Sequence, residues 1–274
     1  MRGWILLPFL ATSAAAEVDL PSLINDFRDT EVVILGEIHG NPAHHENQEL
    51  IIRAMFPSAL VFEMFTPDQA QTINTMRWDG AALESLEVEF EWDKSGWPAF
   101  DFYRALLEAD AEGVVYGGAT PLSQIEEAAF EGAFAIYGPD GIDYGLDQPL
   151  SEEEISKREA DYILTNCAAL DDGDLAGLIE GERLRAAVMA DTILLALSEA
   201  AYPVVVITGN DLANEDYGIP AMLRKIYPDI LVTTIGQFEV DPVGDAAYTH
   251  ILVTGAIDRE DPCLDFTDQS AASD

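Results

Sequence analysis

An α/β protein, with a mostly parallel sheet flanked by helices and a smaller helical part, is the fold class this sequence predicts. Three observations carry the prediction. Short apolar runs of β-branched character, Val32 to Leu35 and Val204 to Thr208 among them, have the length of buried strands. Segments with helical spacing separate these runs, and such alternation favours parallel strands with helices on both faces. The chain of 274 residues, 49% hydrophobic with mean hydropathy +0.06, can bury a sizeable core.

In chain order, Leu20 to Phe27 reads as a short helix leading into the first strand, Val32 to Leu35. Gly36 ends that strand, and Asn41-Pro42 starts a helix with Asn at the N-cap and Pro at the first position. This helix runs to Met55, with Leu50, Ile51 and Met55 expected on its inner side. Ala59 to Glu63 is a second strand and Pro67 to Trp78 a second helix. A loop from Glu91 to Pro98 carries Trp92 and Trp97, and opens a helix with Phe100, Tyr103, Leu106 and Leu107 at helical spacing. Gly113 stops that helix before the strand Val114 to Tyr116. From Pro121 the strands disappear, and Ala- and Glu-rich helices, broken near Gly138-Pro139 and Gly173, suggest a helical subdomain at about 121–200. Its last helix, Glu182 to Ala200, is apolar almost all round from Ala186 to Leu197, so burial is expected. Asp191 inside that run is either paired in the core or on an exposed face. Strands at Val204 to Thr208, Leu231 to Ile235 and His250 to Val253 follow, with a turn and short helix from Gly218 to Arg224.

The charge is extreme. Fifty-one acidic residues oppose 13 basic ones, for a formal net charge of -38. Such a surface repels nucleic-acid phosphates and anionic lipid, so neither is expected as a partner. It suits a salty medium, where repulsion is screened. Residues 1–16 have the form of a secretory signal peptide: Arg2, an apolar segment from Trp4 to Ala11, and Ala14-Ala15-Ala16 for cleavage. The expectation is therefore a periplasmic or secreted protein, soluble after cleavage, with residues 17–274 as one domain. No cysteine adjoins the cleavage site for lipid attachment. An oxidising compartment would permit a disulfide between Cys167 and Cys263, and two separate thiols are as consistent with the sequence.

Chemistry gathers at the strand ends. Glu37 and His39 follow the first strand at once, and His44 and His45 lie in the first turn of the next helix. Glu63 closes the second strand, and Gly209-Asn210-Asp211-Leu212 follows the most apolar one. In open α/β sheets this rim is where ligands bind. Glu37, His39 and Glu63 have the donor types for a divalent metal, or for acid–base catalysis by a carboxylate and an imidazole. His250, in a strand-like run, reads as a core histidine.

The stretches Gly36-Glu-Ile-His-Gly-Asn-Pro-Ala-His-His-x-x-Gln48, Phe62-Glu-Met-Phe65, Val206-Ile-Thr-Gly-Asn and Asp216-Tyr-Gly-Ile-Pro220 resemble the ChaN family. Those are haem-binding iron-uptake proteins of the Tiki/TraB/erythromycin-esterase-like superfamily. The resemblance implies an exported haem-binding protein with a parallel sheet and a smaller helical part. It also implies a homodimer holding two stacked haems on tyrosine ligands. Tyr217, within a matched motif, is the first tyrosine candidate, and His39, His44 and His45 are further cofactor-binding candidates. Trp92 and Trp97 could flank the macrocycle or pack in the core. An uptake role would bring in an outer-membrane receptor. Other superfamily members are metal-dependent hydrolases or proteases, which implies Glu37, His39 and Glu63 as the alternative catalytic set. The family pattern places a second histidine where this chain has Leu212, and that departure weakens any two-histidine mechanism.

Overall fold

The computed structural model describes residues 23–24, 27, 29–110, 112–166, 172–242 and 247–258. The expected leader, both cysteines and the acidic tail lie outside the described residues. Six strands form one parallel sheet: β1 (Val32–Glu37), β2 (Ala59–Phe62), β3 (Val114–Gly117), β4 (Val204–Gly209), β5 (Val232–Phe238) and β6 (His250–Val253). Their spatial order is β3-β2-β4-β1-β5-β6. The expected strands are all present, several extended by one to three residues toward their C-terminal ends.

Helices cover both faces. Alternation along β1 sends Val33 and Leu35 to one side and Val32 and Ile34 to the other, and all four are fully buried. The first side packs against α1 (Pro42–Met55), α2 (Pro67–Trp78) and α3 (Phe100–Ala109). All four apolar positions predicted for α3, Phe100, Tyr103, Leu106 and Leu107, are buried there. In α1, Leu50 is instead half exposed, and Ile51 and Ile52 face the sheet. The helix is rotated by about one position from the expected stripe because His44, His45 and Gln48 also point inward.

Between β3 and β4 the described chain is helical: α4 (Leu122–Glu131), α5 (Ala133–Tyr137), a 3-10 turn at Pro139–Ile142, α6 (Glu152–Asn166) and α7 (Asp172–Glu199). The helix α7 starts ten residues before the expected Glu182, and Gly173 lies in its first turn. Gly177 and Gly181 sit inside it where α4 comes close; a Cβ on Gly181 would stand 2.9 Å from Ile125. Ala186, Ala187, Met189, Ala190 and Ile193 press α7 onto Val61, Val204 and Val206, and α8 (Ile219–Ile226) packs on this side too. Asp191 resolves to the exposed face, where Tyr137 and Tyr144 each donate a hydroxyl to it at 2.7 Å.

The helix after β1 therefore lies on one face and the helix after β4 on the other, although the two strands are neighbours. Their C-terminal ends diverge at a topological switch point, where the register sets Glu37 beside Gly209. No helix among the described residues is long and apolar enough to cross a membrane.

Candidate functional site

Glu37, the last residue of β1, is buried and serves as the acceptor for three side chains. Gln48 Nε2, from α1, donates to Oε2 at 2.9 Å. The Tyr103 hydroxyl, from α3, donates to Oε1 at 3.2 Å, and His39 Nδ1 lies 2.8 Å from the same oxygen. Nδ1 carries the proton in that contact, so neutral His39 offers its other nitrogen, Nε2. The His39 side chain is 35% exposed and meets Trp97 edge-on at 5.1 Å between ring centroids. Below it is bare backbone: a Cβ on Gly209 would come within 3.3 Å of His39 Nε2. Burial alone would lower the His39 pKa, but the hydrogen bond to Glu37 and the charge of Glu63 raise it overall.

Glu63 stands on the other side of this point, one residue beyond β2. Arg185 of α7 pairs with Oε1, while Thr208 Oγ1 (2.6 Å) and the Gly209 N–H (2.9 Å) donate to Oε2. Burial opposes ionisation here, yet Arg185, His39 and these donors hold the carboxyl down at about 2. Glu63 is thus a fixed anion, unsuited to exchanging protons near neutrality.

The other expected candidates have different surroundings. His44 is fully buried; it accepts from the Ile38 N–H at 2.9 Å, and its Nε2 lies 2.9 Å from Thr254 Oγ1. It fastens the rim loop. His45 stacks on Phe102 at 4.5 Å and lies behind Glu37. Since Gln48 turns its amide N–H toward Glu37, its Oε1 accepts from His45 Nδ1 at 3.1 Å. His45 Nε2 is left buried with no partner, and burial lowers its pKa. Tyr217 is buried, donates its hydroxyl to Asp161 at 2.8 Å, and has the Arg158 guanidinium over its ring. Burial and Asp161 both raise its pKa, which disfavours the phenolate. Asn210 braces β5 through Gln237, and Leu212 is core. His250 is partly buried against Phe27.

The expected metal set is not assembled. Among the described residues no group of three or more His, Cys, Asp or Glu side chains is placed to hold a metal ion. The physical reason is that Arg185 already supplies the cation at Glu63, and Glu37 is already engaged by Gln48, Tyr103 and His39. Sequence reasoning missed Arg185, Tyr103 and Thr208. Arg183 and Arg185, two arginines just before the apolar run of α7, were the available signal for the first.

Beside Glu63 and Arg185 opens a cavity of about 360 Å³, walled by Trp97, Met64, Met189 and Leu122. Thr120, whose hydroxyl is buried without a partner, also lines it. Trp97 thus lies at the site, and Trp92, a buried core residue that donates its indole N–H to the Pro98 carbonyl, lines the same cavity.

These features define a class: a parallel α/β protein with a candidate ligand rim at its switch point, built from a carboxylate–histidine pair and a carboxylate–arginine pair. The chain belongs to the family described as haem-binding uptake, Tiki superfamily, ChaN, whose model matches residues 23–223. ChaN of Campylobacter jejuni, solved for its cofacial heme binding, shares the fold at a TM-score of 0.64 and 16% identity, over 85% of this chain and 91% of that one. A mutant of the erythromycin esterase EreC in its open conformation is more distant, at a TM-score of 0.44 and 10% identity, over 80% and 72% of the two chains. A Bacillus cereus protein lies at 0.41 and 13%, over 78% and 69%. No curated protein matches the chain.

Proposed function

We propose that this protein is exported, binds haem at the rim and serves haem or iron uptake. The observation that carries the reading is His39: a partly exposed imidazole, oriented by a buried carboxylate through Nδ1, with Nε2 over bare backbone and its ring against Trp97, which lines the neighbouring cavity. That donor set fits haem, which needs an axial nitrogen or oxygen and apolar contact for its ring. Bound haem would supply an iron with open axial positions. Among the four cofactor candidates His39 is favoured, because His44 and His45 are buried and the Tyr217 hydroxyl is committed to Asp161. Trp97, Met64 and Leu122 would meet the ring edge. The leader at residues 1–16 supports a periplasmic or secreted location, and the family supports a homodimer and an uptake receptor as partners.

The test is a haemin titration of residues 17–274, following the Soret band and the size on gel filtration. A saturable shift is expected, with His39→Ala weakening affinity at least about tenfold, the scale of losing one iron ligand or its support, while Tyr217→Phe leaves the spectrum unchanged. Loss of the shift in Tyr217→Phe alone would return the ligand role to the tyrosine. The alternative, a metal-dependent hydrolase using Glu37, His39 and Glu63, has less support, since both carboxylates are occupied and Leu212 replaces a histidine.

A further inference from the structure

We propose that the end of the sheet opposite the rim carries a docking groove for a cationic, partly apolar segment of a partner protein. Its place in the fold makes it independent of the haem reading. Glu31 precedes β1 by one residue, and Tyr202 and Ile230 precede β4 and β5 by two. In a parallel sheet these strand starts share one end, remote from Glu37 and Gly209 at the strand finishes. There the last turns of α7 and the turn after α8 enclose a groove of about 560 Å³.

Three features select the occupant. The first is apolar surface left in water. Leu194, Leu197 and Ile230 line the groove, and Tyr202 and Tyr227 stand beside them 68% and 59% exposed. Leu195 and Leu231, next to lining residues in the chain, are half exposed as well. Apolar side chains gathered at a concave surface with a polar rim mark an interaction site. The second feature is that rim. Glu31 and Asp229 stand at the groove, and among the described residues no Arg or Lys lines it. Glu31 uses Oε2 to accept the Leu231 N–H at 3.0 Å, which adds no positive charge. The third is the end of α7. This helix of 28 residues stops here with no basic residue in its last turn, so the partial negative charge of its C-terminus is uncompensated. The last turn of α8 does hold Arg224 and Lys225, but they turn to Glu215 and to the Tyr144 carbonyl. A second copy of this acidic chain would bring like charge to the groove. Arg or Lys flanked by leucine-sized side chains answers all three features, because tyrosine faces attract cations too.

The experiment titrates the chain from residue 17 into a dye-labelled amphipathic peptide of Leu and Lys, about 14 residues and so roughly four helical turns. Fluorescence anisotropy is read at about 150 mM NaCl, where long-range attraction is largely screened. A second probe replaces each Leu by Ser at unchanged charge. The Leu/Lys peptide is expected to bind and the Ser/Lys peptide to bind about tenfold more weakly or worse. Tyr202→Ser combined with Tyr227→Ser should weaken the Leu/Lys peptide at least about tenfold, the scale of losing central aromatic contacts. Both rings are largely exposed, so the urea midpoint should stay at its wild-type value. Glu31→Gln, which keeps the acceptor for Leu231, combined with Asp229→Asn should weaken binding by about threefold. The same charge change on exposed α4 residues, Glu126→Gln with Glu127→Gln, should not. Absence of binding by the Leu/Lys peptide would overturn the proposal outright. Equal weakening by the two charge pairs, or a Ser/Lys peptide as tight as its Leu counterpart, would reduce the effect to the general field of the chain and overturn the groove. Dimers on gel filtration that the tyrosine pair abolishes would give this face to a second copy instead. Phosphatidylcholine vesicles bound by wild type and not by the tyrosine variant would give it to a lipid surface.

Discussion

Glu63 shows how much of the site's order one residue can hold, because each of its oxygens is used by partners from other elements. Its folded pKa of about 2 lies below its ordinary value near 4.5. The stability it contributes is therefore present above the ordinary pKa and is lost as pH falls toward 2. The difference corresponds to about 3 kcal/mol. For Glu63→Gln we expect a loss of about that size at pH 7, measured by urea unfolding, with the gap to wild type narrowing below pH 4. A constant gap from pH 7 to pH 3 would mean that the loss comes from packing and not from the charge. His39 runs the other way: its pKa is raised, so its contribution is present at low pH and fades as pH rises through its folded value. Both residues were legible in the sequence, because a strand ending in a carboxylate fixes where that group emerges. Arg185 and Tyr103 were not. Each reaches the site from a helix distant in sequence, and only the rotation of that helix on the sheet brings it there. Tyr217 was legible as a motif residue but not as a buried donor to Asp161, a contact that depends on where α6 packs.

Among the elements, the exposed edge of the sheet shows a feature of helix α2 that no periodicity reveals. Strand β3 ends the sheet on one side, and an unpaired edge invites association with other chains. Asn74 of α2 closes it by donating from Nδ2 to the Val115 carbonyl at 2.7 Å and accepting from the Val115 N–H at 2.9 Å. Arg77, one turn later, takes the Gly113 carbonyl at 2.7 Å. The amide thus stands in for the next strand. Asn74→Ala leaves both backbone groups of Val115 without partners, so a loss of about 1–3 kcal/mol is expected in urea unfolding, with concentration-dependent light scattering from the bared edge. Asn74→Asp keeps the acceptor but turns a carboxylate oxygen toward the Val115 carbonyl, so it should lose at least as much at pH 7 as Asn74→Ala. Most strand and helix spans were legible because β-branched runs, Asn-Pro caps and glycine stops act locally. The inner face of α1 and the start of α7 were not. The first was set by His44, His45 and Gln48 turning inward, the second by close approach of α4 at Gly177 and Gly181.

For the molecule as a whole, charge is the property read in full from the sequence and little altered by folding. The structure adds that each described base is already engaged with an acid or a carbonyl, so most of the 51 acidic groups have no cation of their own. Folding gathers them onto one surface, whereas the unfolded chain spreads them out, so repulsion lowers the stability of the compact state. Screening lengths of about 30 Å at 0.01 M salt and about 8 Å at 0.15 M span the size of the domain and then fall well inside it. Stability should therefore rise steeply between these concentrations and level off beyond, with the urea midpoint moving and the m-value constant. Sodium chloride and choline chloride at equal ionic strength should coincide if screening is the cause. Sodium sulfate should exceed both only where salt exclusion from apolar surface adds its own stabilisation. A midpoint that stays flat across this range would mean that the acidic groups are spaced widely enough to be harmless.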